Sequence, residues 1–182
     1  MDFLEKDLEQ IIWETDSETL EEKGLELNGR RFRQLRIGNY GIADLVTVEK
    51  RTTFSPYIDK DEEKFRVENS YLLITVYELK KDKIGIGAFL QAIGYVKGIQ
   101  RYLEKRGYSE NVLFKISLIG KEPDKSGNFI YLSDLIGFQM PDENPCYEWC
   151  KIVELSFYTY KISINGLNFN SEHGYKLNSE WF

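Results

Sequence analysis

An α/β (α+β) domain is the fold class this sequence predicts: a central mixed β-sheet flanked by helices, with a C-terminal β-hairpin extension. Three observations predict it. The apolar period changes from helical to two at residue 30, the stretch YLLITVY is followed after ELKKDK by a long amphipathic helix, and two β-rich segments end the chain around Asn165-Gly166. With 182 residues, 42% of them apolar and 30% charged, the chain can bury one sizeable core. No repeat or low-complexity tract divides it, so residues 1–182 read as a single domain, with a core over 1–120 and a β-rich extension over 121–182.

Residues 3–14 place Phe3, Leu4, Leu8, Ile11 and Ile12 at helical spacing, giving an amphipathic helix with an acidic outer face. A second short helix over 18–23 ends at Gly24. From Arg30, strand alternation sets Phe32, Gln34 and Arg36 against Arg31, Arg33 and Leu35, and Gly38 and Gly41 bracket a turn. Residues 42–48 form a strand of branched residues interrupted by Asp44, which Thr47, Glu49 and Arg51 carry outward. After a charged tip at 59–63 the chain returns into 71–77, its most apolar stretch, expected to be a central strand buried on both faces. A helix over 86–106 follows, with Gly107 as its C-cap. Its core stripe is Phe89, Ala92, Ile93, Val96, Ile99 and Leu103, bordered by Gln91, Tyr95, Gly98 and Tyr102. Residues 112–119, 151–164 and 167–169 are strands, the last two joined by an Asn165-Gly166 hairpin turn.

The formal net charge of −6 argues against coating nucleic acid through bulk electrostatics, but not against nucleic acid as a substrate. No apolar run approaches the ~20 residues of a membrane span, and the acidic start MDFLEKDLEQIIWE is unlike a signal peptide. The expectation is a cytoplasmic protein without a membrane partner. Cys146 and Cys150 have the wrong spacing for a zinc ribbon or a redox CxxC pair and read as reduced thiols. A single histidine, His173, supports neither a nucleophile triad nor a histidine metal cage. GIGAFLQ lacks the spacing of a dinucleotide fingerprint, and there is no Walker loop.

Four charged side chains stand out by position. Asp44 interrupts an apolar strand, where a carboxylate is costly unless something pairs or coordinates it. Glu78 and Lys80 end the most apolar strand, two residues apart and therefore on one face of the sheet. If the two strands are neighbours, the carboxylates of Asp44 and Glu78 converge. Such a pair suits a hard cation such as Mg²⁺, and a lysine beside it can hold a water and stabilise charge on a phosphoryl oxygen. A buried salt bridge is the structural alternative for the same three residues. Other acidic-x-Lys tripeptides, Glu21/Lys23 and Glu62/Lys64, lack this apolar setting.

In this order the sequence resembles the PD-(D/E)XK nuclease superfamily: GIADL around Asp44, VYELK with Glu78 and Lys80, then a helix carrying Gln91-Ala92-Ile93-Gly94-Tyr95, similar to the QxxxY element of several branches. Ala43 stands where the family name has proline, a variable position. The resemblance covers residues 3–120 and implies a restriction-endonuclease-like core and metal-dependent phosphodiester hydrolysis on DNA. In that reading Asp44, Glu78 and the backbone carbonyl of Leu79 bind Mg²⁺ or Mn²⁺, and Lys80 positions the water. Glu9 reaches the metal, or a water bound to it, from the first helix, with Glu5, Asp7 and Glu14 as rivals, while Gln91 and Tyr95 steady the site or touch the substrate backbone.

Lys97, Arg101 and Lys105 form a basic stripe on the long helix, either a phosphate contact or an ordinary solvated face. Arg31 and Arg33 share one strand face while Arg30 and Arg36 share the other, and Gln34 lies toward the site. Two further expectations remain open: a non-catalytic nuclease-fold module that binds nucleic acid or protein, and a homodimer paired through the aromatic hairpin LSFYTYKISINGLNF.

Overall fold

The structure, a computed structural model, describes residues 3–58, 64–108, 112–124 and 152–172. It is an α+β fold with a mixed six-stranded central sheet. The tip at 59–63, Cys146, Cys150 and His173 lie outside the described residues. Among the described residues no helix is long and apolar enough to cross a membrane.

Two helices, α1 (Glu5–Glu14) and α2 (Ser17–Glu22), precede the sheet. Asp16 starts α2 by accepting a hydrogen bond from the Thr19 amide at 2.8 Å. Gly24 (φ +88°) ends α2, with Leu25 N donating back to Leu20 O at 2.8 Å. Strand β1 (Arg30–Arg36) pairs antiparallel with β2 (Ile42–Ile58), and β2 pairs antiparallel with β3 (Lys64–Leu79). The pattern of branched and charged residues understates β2, which runs past Arg51, the last position expected to carry it outward, to Ile58, because its ladder with β3 extends to Ile58↔Lys64.

After the short β4 (Lys83–Ile84) comes α3 (Ile86–Lys105), which crosses back so that β5 (Val112–Gly120) lies parallel to β3. A second short strand, β6 (Glu122–Pro123), pairs with β4. Strand β7 (Ile152–Ser163) then adds parallel to β5, and β8 (Gly166–Glu172) forms the far edge, giving the order β1-β2-β3-β5-β7-β8. The C-terminal hairpin is thus part of the central sheet. Its turn is one residue earlier than expected: Ser163 pairs with Gly166, so Ile164 and Asn165 are the loop, and only Gly166 takes positive φ, +93°. Two negative-φ loop residues followed by a left-handed glycine do not make a type I′ turn, which needs positive φ at both loop positions.

Burial of β3 on both faces explains its composition. Val76, Ile74, Val46, Ile116 and Phe114 pack under α3, whereas Tyr77, Leu79, Leu45 and Ile119 pack under Leu8 and Ile12 of α1 and Leu20, Leu25 and Leu27. The α3 face is rotated from the expected stripe. Ala88, Ala92, Tyr95, Val96, Gly98 and Ile99 are buried, while Phe89, Ile93 and Leu103 sit at the margin and Tyr102 is exposed. The 3-10 turn Gly38–Tyr40 causes the rotation by packing on that side. A Cβ on Gly98 would lie 2.4 Å from Ile37 Cγ2 and 2.7 Å from the Tyr40 ring. Gly98→Ala is therefore expected to destabilise by about 1–3 kcal/mol despite alanine's better helix propensity, read as a lower urea midpoint at unchanged slope. An unchanged or higher midpoint would show that this turn is not seated on the helix.

Candidate active site

The β2–β3 hairpin brings the two carboxylates together. Leu45 pairs with Tyr77, and the next residue on each strand is Asp44 and Glu78. Alternation puts Asp44 with Val46 and Glu78 with Val76, on the face covered by α3. Here β3 leaves its antiparallel neighbour, and its end stays pinned on the other side by Lys80 N donating to Ile119 O at 2.8 Å. The Leu79 side chain is fully buried in the opposite core, and its N–H donates to Asp44 Oδ2 at 3.0 Å. Lys80 Nζ donates to Glu78 Oε1 at 2.6 Å, as the shared strand face requires.

Glu78 is 1% exposed, and its other oxygen, Oε2, has no hydrogen-bond partner among the described residues. Burial pushes its carboxyl up to about 7; the Lys80 hydrogen bond opposes this and the charge of Asp44 adds to it. Burial likewise raises Asp44, against the Leu79 amide and the Lys80 charge. Burial pulls the Lys80 ammonium down, but its contacts with Glu78, then Glu5 and Asp44, more than offset this and leave it raised. The cluster is thus short of positive charge: the buried carboxylate of Glu78 and the half-buried one of Asp44 share one lysine.

Helix α1 contributes from the other side of the sheet. Glu5, one of the rivals to Glu9, lies 3.7 Å from Lys80 Nζ and accepts the Lys81 amide at 3.3 Å. Glu9 is buried but occupied: Arg33 Nε donates to its Oε1, and Gln34 Nε2 donates to its Oε2 at 2.5 Å. Its charge still reaches Asp44, yet both oxygens are held toward β1, so Glu5 rather than Glu9 is the α1 carboxylate on the lysine. Gln34 reaches Glu9 through a backbone at φ +48°, unusual for a residue with a Cβ. Arg31, on the same face as Arg33, donates to Thr15 O at 2.6 Å and to Ser17 Oγ at 2.8 Å, capping the end of α1. The parity of Arg31 and Arg33 was legible in the sequence; their shared target, α1, was not.

On α3, Gln91 Nε2 donates to the Tyr95 hydroxyl at 2.7 Å, one helical turn apart. Tyr95 is buried rather than at the border, its ring beside Gly41, whose φ of +113° and lack of a Cβ allow the approach. Burial, then the charges of Glu78 and Asp44, raise its phenol, which places Tyr95 within electrostatic reach of the carboxylate pair. All three residues of the basic stripe are exposed, but Arg101 also hydrogen-bonds the Tyr40 hydroxyl and stacks over that ring, tying the 3-10 turn to α3.

The structure therefore gathers Asp44, Glu78, Lys80, Glu5, Tyr95 and Gln91 at one end of the sheet. Among the described residues no three His, Cys, Asp or Glu side chains are grouped closely enough to hold a metal ion by themselves. The donor set is the Asp44–Glu78 pair with its orphaned oxygen. A two-carboxylate set fits Mg²⁺, which keeps several waters, better than a metal that needs an all-protein cage. In comparison with known proteins, no family model, no curated protein and no solved structure matches this chain.

Proposed function

We propose that this chain is a metal-dependent phosphodiester hydrolase of the PD-(D/E)XK type, with a restriction-endonuclease-like core, cleaving DNA internally. One observation carries the reading: Glu78 Oε2 is buried, with the charge of Asp44 near it and no hydrogen-bond partner among the described residues. An unsatisfied buried carboxylate oxygen costs several kcal/mol, which a chain has reason to tolerate where a cation binds. Asp44 and Glu78, with the backbone carbonyl of Leu79, are the residues to hold Mg²⁺ or Mn²⁺. Once bound, the cation supplies Lewis-acid polarisation of a phosphoryl oxygen.

The chain's own residues do the rest. Lys80, kept protonated by Glu78 and Glu5, holds the attacking water and faces the developing negative charge. Gln91 and Tyr95 fix the wall opposite the strand end, and Glu9, clamped by Arg33 and Gln34, sets the distance of α1.

Calorimetric titration with Mn²⁺, wild type beside Asp44→Ala, followed by cleavage of mixed nucleic acid substrates, tests this. Saturable binding and cleavage, both lost in the variant, are expected; a wild type that takes up no Mn²⁺ even with DNA present removes the reading. A second reading has one observation in its favour: the missing three-carboxylate group among the described residues suits a non-catalytic module that keeps the fold for binding. Wild-type DNA binding without Mn²⁺ uptake is its signature.

A further inference from the structure

At the ends of the parallel strands lies an open cleft of about 610 Å³, lined by none of Asp44, Glu78 and Lys80 and reaching the residue that follows Lys80, that the catalytic reading does not use. Three lysines line it, one from each strand end: Lys81 just past β3, Lys121 just past β5 and Lys161 in β7. None of the three forms an ion pair among the described residues. Of the two carboxylates in the lining, Glu122 is met from outside by Lys83 at 3.7 Å, so the cleft carries an excess of positive charge on a chain of net charge −6.

The walls are set before any ligand arrives. Lys81 is held at both backbone ends, its N–H donating to Glu5 and its carbonyl accepting the Tyr160 hydroxyl. Lys121 N donates to Asp82 O at 2.7 Å, and the β4–β6 ladder fixes the next residues. Phe3 rests against Tyr160 with ring centroids 6.0 Å apart, and half-exposed Ile162 adds an apolar rim.

We propose that this cleft, rather than the α3 stripe, holds the phosphates of a single DNA strand entering or leaving the Asp44–Glu78 site. The proposal rests on the hydrolase reading for its substrate but not for its geometry. Three unpaired ammonium groups on successive strands match a polyanion that crosses the sheet end, and the first of them adjoins Lys80 in sequence. An apolar rim with an aromatic ring suits the face of an unstacked base. The Phe3 ring at the rim suits an unstacked base rather than a paired one, so the preferred substrate is single-stranded or frayed. The α3 stripe is weaker as a rival because Arg101 is committed to Tyr40.

Fluorescence anisotropy with a labelled single-stranded DNA in EDTA buffer, where no cleavage occurs, reads the cleft directly. Replacing Lys81→Gln, Lys121→Gln and Lys161→Gln together is expected to weaken binding at least about tenfold and to reduce the log–log salt slope by about two, for up to three phosphates neutralised. Lys97→Gln with Lys105→Gln is expected to leave affinity within about twofold, and unlabelled duplex to compete poorly. The same affinity in wild type and the triple variant, loss confined to the α3 variant, or no strand binding by wild type overturns the proposal. Mn²⁺ calorimetry on the triple variant separates the two ideas. Unchanged Mn²⁺ binding with lost DNA binding supports the cleft beside an intact hydrolase site. DNA binding through the three lysines by a wild type that takes up no Mn²⁺ also supports the cleft, and overturns the hydrolase reading alone.

Discussion

At pH 8 in EDTA, Glu78→Gln is expected to be more stable than wild type, by roughly 1–3 kcal/mol, although it removes a residue of the proposed catalytic site. The Glu78 carboxyl is pushed up to about 7 from an ordinary 4.5, chiefly by burial. A carboxyl whose folded value is raised stabilises the fold below its unfolded value, and that contribution is lost as pH climbs through the folded one. Wild type without metal should therefore lose stability between about pH 4.5 and 7. The shift corresponds to about 3 kcal/mol at full ionisation, an upper figure because glutamine also gives up the charge-assisted contact with Lys80. The variant lacks this slope, so the advantage at pH 8 should vanish near pH 4.5. Saturating Mn²⁺ reverses the order, since a ligand at about 100 times its Kd adds about 2.7 kcal/mol to the protein that binds it and little to the one that does not. Denaturant titrations at both pH values, with and without Mn²⁺, measure all four quantities. A variant less stable than wild type at pH 8 without metal would mean that Glu78 is held by a satisfied ion pair with Lys80, and the orphaned oxygen would carry no meaning.

The residues that make this prediction possible were legible in the sequence because they break strong local patterns. A carboxylate inside a run of branched residues and another at the end of YLLITVY stand against apolar neighbours that fix their strands. The hairpin between those strands, read from charge at its tip, then makes Asp44 and Glu78 neighbours. The positions that were misread depend on what packs from elsewhere. Tyr95 and Gly98 lie beside the apolar stripe by helical periodicity alone, and become buried because a 3-10 turn sixty residues earlier in the chain covers them. Glu5 and Glu9 have equal claims on helical spacing; the choice is made by Arg33 and Gln34, whose amide reaches Glu9 only through a left-handed backbone that no pattern announces. The far half of the sheet was the least legible. Nothing local shows that β7 adds parallel to β5 rather than standing apart as an extension, because parallel neighbours need not be adjacent in sequence. The lysine row was hidden for the same reason: Lys81, Lys121 and Lys161 are far apart along the chain and become neighbours only when β3, β5 and β7 align.

Lys80→Met should separate water activation from cation binding, with changes of opposite sign. The ammonium lies 2.6 Å from Glu78 Oε1 and 3.7 Å from Glu5, and about a quarter of the side chain is exposed, which is access enough for a water or a phosphoryl oxygen. Removing a donor aimed at developing charge typically costs about 10²–10³ in rate, so Mn²⁺-dependent cleavage should fall by at least that factor. Cation binding should move the other way. Among the described residues Lys80 is the cation acting on both Asp44 and Glu78, and its loss leaves a more negative pocket that attracts Mn²⁺ more strongly at alkaline pH. At neutral pH the gain is smaller, because Glu78 without its lysine holds its proton to still higher pH and a proton must leave before the cation enters. Mn²⁺ affinity measured against pH is therefore expected to be steeper in the variant than in wild type, while single-turnover cleavage stays low throughout. Lys80→Arg tests the geometry rather than the charge. Its planar fork cannot occupy the same point as a compact ammonium, so Mn²⁺ affinity close to wild type with cleavage still depressed assigns Lys80 to the water and the phosphoryl group. Parallel loss of Mn²⁺ binding and cleavage in both variants would instead make Lys80 a strut that holds the two carboxylates in place.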